Sequence, residues 1–225
     1  MRKISLIIVC LLLSGCGYQP QDQVHAIDNQ SVNHEADASG QPMTAGVGYA
    51  SHDDARAAGE VAAQQAHAAL QGATPKLVLV FDNVKDKQAM LAGVSRVFDA
   101  SMIYGCSSYA PLTHLGNQNG VGVMALAGDV EVAVALANVR EEDDTTAGKT
   151  LGELIQPHVP TSDETGKLML LFGKCHVPRN DELVKGVQSV LGETFPIVGG
   201  AASEGEAVYH RGRITYGVNL AVLLK

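Results

Sequence analysis

The chain has 225 residues, of which 46% are hydrophobic and 18% charged, and its formal net charge is −8. This apolar content excludes a wholly disordered chain, and the length suits one compact domain or two small fused halves. The acidic balance without a basic stripe argues against nucleic-acid binding, which depends on neutralising phosphates. Four cysteines are too few for a disulfide framework in a chain of this length.

The most hydrophobic run, residues 4–13, follows the basic pair Arg2 and Lys3. It is too short to span a bilayer, which takes about 20 residues, and it matches the hydrophobic part of a secretory signal. The small residues directly before Cys16 resemble the lipobox of bacterial lipoproteins, in which the cysteine is acylated and becomes the mature N-terminus. We therefore predict a signal peptide over residues 1–15 and lipidation of Cys16. The alternative is an ordinary signal peptide with an incidental cysteine.

Residues 16–43 are polar, with few large apolar side chains and no sustained period. Such a segment buries too little surface to offset chain entropy, which predicts a flexible tether. A lipid on Cys16 followed by this tether would hold a domain at a membrane surface of the cell envelope, outside the cytoplasm. Gly17, rather than aspartate, follows the cysteine, and in a Gram-negative cell that would favour the outer membrane.

Residues 44–225 have the character of a globular domain. The apolar run 76–81 recurs as a near copy at 167–172, 91 residues later. Both runs are too uniformly apolar for half-exposed strands, which predicts strands covered on both faces. A helix over about 53–70 is predicted before the first run, and a helix over about 146–157 before the second.

A helix is also predicted after each run. Met90, Leu91, Val94, Val97 and Phe98 form one apolar helical face, and five apolar residues recur at the same spacings from Leu183 to Leu191. Asp86 and Asn180 are predicted N-caps, and Gly192 is the predicted end of the second helix.

Two further matches complete the pattern. Residues 103–108 and 197–202 correspond with an offset of 94, and residues 121–123 and 216–218 with an offset of 95. Several matches in the same order indicate an internal repeat. We therefore predict an α/β fold of two pseudo-symmetric β-α-β-α-β-β repeats, about 44–129 and 130–225, packed as one mixed-sheet domain. Whether the two sheets pack face to face or join edge to edge stays open.

Ligands of α/β proteins gather beyond the carboxyl ends of strands, so the candidate site lies there. The repeats place strand ends at four segments, 82–83, 105–109, 173–176 and 199–203. Glycine turns at these ends would let the backbone approach a ligand and present N–H groups to it. The predicted ligand-binding residues are Asp82, Asn83, Gly105, Cys106, Ser107, Ser108, Gly199, Gly200, Ala201 and Ser203.

The segments 105–108, 196–203 and 212–218, in this order and spacing, resemble the N-terminal FIST domain over roughly residues 44–225. The resemblance implies a sensory module of signal transduction that binds a small ligand such as an amino acid. It carries over no catalytic residue and implies neither an enzyme nor a cofactor. It leaves the signalling partner unnamed, while the lipid anchor would make the membrane a second partner.

Other readings of the same residues remain open. Cys106 could be the nucleophile of a hydrolase or transferase with His114 as base, although its repeat counterpart Gly200 favours small size over reactivity. Cys175 and His176 are a weak signal for a metal, because no second pair of ligands stands at metal spacing, so no metal site is predicted. Cys106 and Cys175 could form a disulfide outside the cytoplasm. A structural envelope lipoprotein without a ligand is the third alternative.

Overall fold

The computed structural model of the chain describes residues 31–34, 42–113, 116–138, 143–162, 166–174, 180–203 and 206–225. The predicted signal peptide, the lipidation site Cys16, and the residues His114, Cys175 and His176 lie outside the described residues. In the described part of the chain, no helix is long and apolar enough to cross a membrane.

The described strands, in chain order, are β1 (Ser31–His34), β2 (Thr44–Ala50), β3 (Pro75–Asp82), β4 (Ile103–Ser107), β5 (Leu112–Thr113), β6 (Gly116–Asn117), β7 (Val121–Ala127), β8 (Val132–Asn138), β9 (Leu168–Gly173), β10 (Ile197–Ala201), β11 (Val208–His210), β12 (Arg213–Thr215) and β13 (Val218–Leu224). The described α-helices are α1 (Ala55–Ala69), α2 (Lys87–Val94), α3 (Asp144–Ile155) and α4 (Asn180–Leu191). Short 3-10 helices cover Ala100–Met102 and Gln156–His158.

The strands form two large mixed sheets and one small hairpin. The first sheet has the order β12-β11-β4-β3-β7-β2, and the second has the order β1-β8-β13-β9-β10. In the first sheet β3 is parallel to β4 and antiparallel to β7. In the second sheet β9 is parallel to β10 and antiparallel to β13. The predicted mixed α/β class is confirmed.

The two sheets pack face to face, which answers the question that the sequence left open. One buried cluster joins Leu77 and Leu79 of β3 to Val134 of β8 and Val222 of β13. A second cluster packs the outer face of the first sheet on α1 and α2, and a third packs the outer face of the second sheet on α3 and α4. Because the central strands β3, β8, β9 and β13 alternate their side chains between these clusters, the domain has four layers, helix–sheet–sheet–helix.

The predicted elements of the globular part are present, with shifted ends. The apolar runs form β3 and β9, and each has a paired strand on both sides. Asp86 caps α2 by accepting a hydrogen bond from the Ala89 amide at 2.9 Å. The predicted helix to Phe98 is too long, because α2 ends at Val94 and tighter turn bonds follow, although Phe98 is still buried in the core.

The segment predicted as a tether is not wholly irregular. Residues 31–34 form β1, which pairs antiparallel with the edge strand β8. The backbone N–H and C=O groups of an edge strand can pair with a further strand whatever side chains that strand carries. A strand of this kind therefore needs no alternating apolar pattern in its sequence. This corrects the prediction of a tether at these four residues.

The two sheets are connected alike. In chain order, β2, α1, β3, α2, β4 and β7 build the first sheet, and β8, α3, β9, α4, β10 and β13 build the corresponding part of the second. The hairpin of β11 and β12 departs from this pattern, because it leaves the second sheet and pairs with β4 of the first. The internal repeat, with its boundary near residue 130, stays a prediction with which this connectivity agrees.

Candidate functional site

The carboxyl ends of the two parallel strand pairs meet at one end of the sheets. The Ser108 amide donates to the Asp82 carbonyl at 2.6 Å, the Ser203 amide to the Ser107 carbonyl at 3.0 Å, and the Ala202 amide to the Gly173 carbonyl at 2.8 Å. We call residues 82, 107, 108, 202 and 203 the strand-end junction. The described parts of all four predicted strand-end segments therefore lie together at this end of the sheets.

Ser107 links the two sheets within the strand-end junction. Its hydroxyl donates to the Ser203 carbonyl and accepts from the Ala207 amide at 3.1 Å. These bonds commit the Ser107 side chain to holding the ends of β4 and β10 side by side. Its role in this structure is to position its neighbours.

Three polar atoms at this end of the sheets are buried without a hydrogen-bond partner in the described part of the chain: Ser108 Oγ, Ser203 Oγ and Asn219 Nδ2. Ser108 is 0% and Asn219 1% exposed. A buried polar group without a partner costs about 1–3 kcal/mol, so such groups are rare and call for an explanation. Ser108 directly follows Ser107, and Ser203 is hydrogen-bonded to Ser107, so both serines belong to the strand-end junction.

Sequence reasoning missed Asn219. The residue stands near the start of β13, where its Oδ1 accepts from the Lys174 amide at 3.0 Å just beyond the end of β9. A single amide side chain inside an otherwise apolar run is a signal that could have pointed to it, because a buried polar side chain is expensive.

Asp82 belongs to a buried polar network on the helix side of β3. Its carboxylate accepts from Lys87 Nζ at 3.2 Å, from the Val84 amide at 3.0 Å, and from the Tyr209 hydroxyl. Burial raises the pKa of Asp82, and the Lys87 cation is the strongest influence that lowers it again. Burial and the Asp82 charge raise the pKa of Tyr209, which keeps this phenol a hydrogen-bond donor.

Asn83 holds two loops together. Its Oδ1 accepts from the Gly120 amide, and its Nδ2 donates to the Tyr109 carbonyl and to Asn119 Oδ1, each at 2.8 Å. Both amide hydrogens are therefore committed within the protein. The structure gives Asn83 a structural role beside the strand-end junction.

The predicted glycine turns are strands. Gly105 and Cys106 lie inside β4, and Gly199 and Gly200 lie inside β10. A Cβ on Gly105 would stand 2.0 Å from the Val80 carbonyl oxygen, and one on Gly199 would stand 1.8 Å from that of Leu171. The glycines thus let each strand approach its parallel neighbour, and the prediction that these glycines form turns is wrong for this reason.

The predicted site residues do not line one common surface. Asp82, Cys106, Ser107 and Ser108 are buried. Gly199 and Gly200 instead border an open cavity of about 250 Å³ between β10 and α4, whose apolar walls include Leu171, Leu183, Val184, Phe195 and Ile197. Gly105 and Cys106 do not line this cavity, so the two glycine segments do not face one common pocket there.

Cys106 carries a free and fully buried thiol. Burial and the nearby Asp82 carboxylate raise its pKa, so the thiol stays protonated at neutral pH. Since the thiolate is the nucleophile, this environment argues against a Cys106-dependent hydrolase or transferase.

We expect Cys106 to resist alkylation by iodoacetamide in the native chain at neutral pH, and to react once the chain is unfolded in urea. Peptide mass mapping of labelled protein measures this site separately from the other cysteines. Labelling of native Cys106 as fast as a small free thiol would contradict the burial and restore the nucleophile hypothesis.

No cluster of metal-binding side chains is found among the residues that the structure describes. The weak pair Cys175 and His176 lies outside them, as does the possible partner of a Cys106 disulfide. The metal reading, which the sequence did not favour, is therefore untested, whereas the free thiol of Cys106 gives no support to the disulfide alternative.

A family model, the FIST N domain, matches residues 76–225. The fold is similar to a crystal structure of cyanuric acid hydrolase from A. caulinodans at 12% identity, covering 84% of this chain and 72% of that one with a TM-score of 0.45. No curated protein is significantly similar in sequence.

Proposed function

Because the chain belongs to the FIST N domain family, whose members are generally sensory ligand-binding domains, we propose that it binds a small metabolite such as an amino acid at the strand-end junction. The family favours a sensory domain over an enzyme, and the burial of Cys106 argues against the alternative of a cysteine nucleophile at this residue.

The observation that carries this proposal is the pair of unpartnered hydroxyls of Ser108 and Ser203. Natural proteins rarely leave such groups unsatisfied, and a bound ligand is one reason to retain them. A hydroxyl can both donate and accept, so the pair suits a polar ligand end such as a carboxylate or carbonyl group. Asn219 Nδ2 would add a third donor at the same end of the sheets.

Ligand entry requires the strand-end junction to open, since Ser108 is fully buried in this conformation. The two sheets are held together here by the bonds between Ser107 and Ser203. A ligand that binds the opened form would shift the balance between the two conformations, and this shift is a physical basis for signalling.

The test is thermal unfolding of the full chain with a panel of amino acids and small metabolites, followed by titration of any stabilising compound. Ser108→Ala removes an unpartnered hydroxyl, so without ligand it should raise the free energy of unfolding by about 1 kcal/mol. The same variant should weaken the stabilising ligand about fivefold or more, the loss of one hydrogen bond of about 1 kcal/mol.

Ser189→Ala is the matched control, because Ser189 is an exposed residue of α4 whose hydroxyl bonds within its own helix. It should leave ligand binding unchanged. If no compound of the panel stabilises the chain, or if Ser108→Ala and Ser189→Ala bind the compound equally well, the strand-end junction is not the binding site.

We further propose that Cys16 is acylated and anchors the domain to a membrane of the cell envelope, the outer membrane in a Gram-negative cell. The apolar run 4–13 and the small residues before Cys16 support this. In cells, Cys16→Ser should leave an unprocessed precursor and lose labelling by an alkyne-tagged fatty acid. Unchanged processing and labelling would show that the cysteine is incidental.

A further inference from the structure

The outer edge of β10 has no partner strand among the residues that the structure describes. The corresponding strand of the first sheet, β4, is covered by β11, which pairs with it antiparallel. An edge strand presents unpaired N–H and C=O groups, and such an edge is a template for a further strand.

The outward-facing backbone N–H and C=O groups of β10 correspond in position to those by which β4 pairs with β11. The Pro196 carbonyl and the Ala202 amide bond toward β9, so by alternation Ile197, Gly199 and Ala201 turn their groups outward. The next residue in this row, Ser203, donates to Ser107 at 3.0 Å. The open edge therefore continues directly into the pairing that already joins the two sheets.

In the first sheet, the Tyr209 side chain occupies the position that corresponds to the cavity beside the second sheet. Tyr209 of β11 stands opposite Gly105 and packs in the cluster that contains Met90 and Val94 of α2. Gly199 is the counterpart of Gly105, 94 residues later, and here the open cavity lies between β10 and α4. The cavity thus corresponds to the place that Tyr209 takes beside Gly105.

We propose that the edge of β10 is a docking site for an extended segment of a partner protein, which adds antiparallel to β10 and places an aromatic side chain opposite Gly199. Strand addition of this kind draws affinity from backbone bonds and specificity from a side-chain pocket. The occupant is a short strand, because only three outward-facing residues precede Ser203.

The walls of the cavity define the side chain that it accepts. Leu171, Leu183, Val184 and Phe195 are apolar, and the volume of about 250 Å³ is below the roughly 300–1,000 Å³ of pockets for drug-sized ligands. One large side chain suits this space better than a whole metabolite. Asn180 also lines it and supplies a polar atom that a phenol could reach, as Tyr209 reaches Asp82 in the first sheet.

The test extends the full chain at its C-terminus by a flexible Gly/Ser linker and a second copy of residues 206–211, the chain's own β11 sequence. Tethering raises the effective concentration of the added strand to the millimolar range. We expect hydrogen exchange at the Ile197 and Gly199 amides to slow about tenfold relative to the chain without the extension.

Two matched pairs give the test its specificity. Tyr209→Ala in the second copy only should abolish the protection, whereas Tyr209→Phe there should retain most of it. Val184→Arg, at the cavity, should abolish it, whereas Ser189→Arg, exposed on the same helix and away from the cavity, should not.

Absence of protection, or equal protection by the alanine version, would overturn the proposal. It would also fall if the chain without the extension sediments as a dimer and already protects these amides, because a second copy would then cover the edge.

Discussion

Lys87→Met is expected to lower the free energy of unfolding by about 3 kcal/mol at neutral pH, because it removes one partner of a buried ion pair. Lys87 Nζ lies 3.2 Å from Asp82 Oδ2, with the two side chains 10% and 0% exposed. Without the cation, the Asp82 charge keeps only the Tyr209 hydroxyl and the Val84 amide. Urea unfolding of the full chain measures the loss.

The pH dependence of this loss follows from the Asp82 pKa. Burial raises that pKa in the folded state above its ordinary value of 3.8, so the folded chain holds the proton more tightly than the unfolded chain does. The free energy of unfolding contributed by this group is then highest below 3.8 and falls as the pH rises through the raised folded value. Lys87→Met removes the cation that lowers the Asp82 pKa, so this pKa rises further and the penalty should be smaller near pH 4 than at pH 7.

Lys85→Met is the matched control, because it removes the same charge from an exposed position two residues away. It should change the free energy of unfolding by less than about 0.5 kcal/mol. Adding Asp82→Asn to Lys87→Met should recover most of the loss, since no unpaired charge then remains buried. A loss equal to that of Lys85→Met, or equal at pH 4 and pH 7, would contradict the network.

Gly186→Ala should destabilise the chain by about 3 kcal/mol, although alanine is the better helix former by about 1 kcal/mol. A Cβ on Gly186 would stand 2.1 Å from the Thr145 carbonyl oxygen, where α4 crosses α3. The obstacle is backbone, so the two helices would have to move apart and disturb the core beneath them. Chemical denaturation of the full chain measures the effect.

Ser189→Ala, on the exposed side of the same helix, should change stability little and shows what the propensity change alone contributes. The first helix pair offers an independent check, because a Cβ on Gly93 would stand 2.1 Å from the Arg56 carbonyl oxygen. Gly93→Ala should therefore lose a similar amount. Wild-type stability of both glycine variants would mean that the helices do not pack this closely.

Much of the fold could be predicted from local patterns. The uniformly apolar runs indicated β3 and β9, and the helical spacing of apolar residues indicated all four helices. The offset of 93 between Gly93 and Gly186 places both at helix crossings of the same kind. These signals are local because a covered strand and an amphipathic helix each show their burial in their own sequence.

The candidate site was predictable only in its location. The order of the elements predicts that the carboxyl ends of the strands lie together. The hydrogen bonds between residues 82, 107, 108 and 203 agree with this prediction. The partners of Asp82 were not predictable in full. Lys87 is five residues away, but Tyr209 is 127 residues distant and arrives on a hairpin that crosses to the other sheet.

The sequence by itself determined the four helices and the main strands of the two sheets, the class of fold and the resemblance to the FIST family, since periodicity, caps and motif order are properties of consecutive residues. Only the tertiary structure decided that the sheets pack face to face, that the glycines at 105 and 199 lie within strands, and that Cys106 is buried. It also decided that β11 covers β4, whereas β10 has no outer partner strand in the described part of the chain. The reason is physical: strands pair through backbone N–H and C=O groups, which nearly every residue carries. The side-chain pattern of a strand therefore says little about which strand will pair with it.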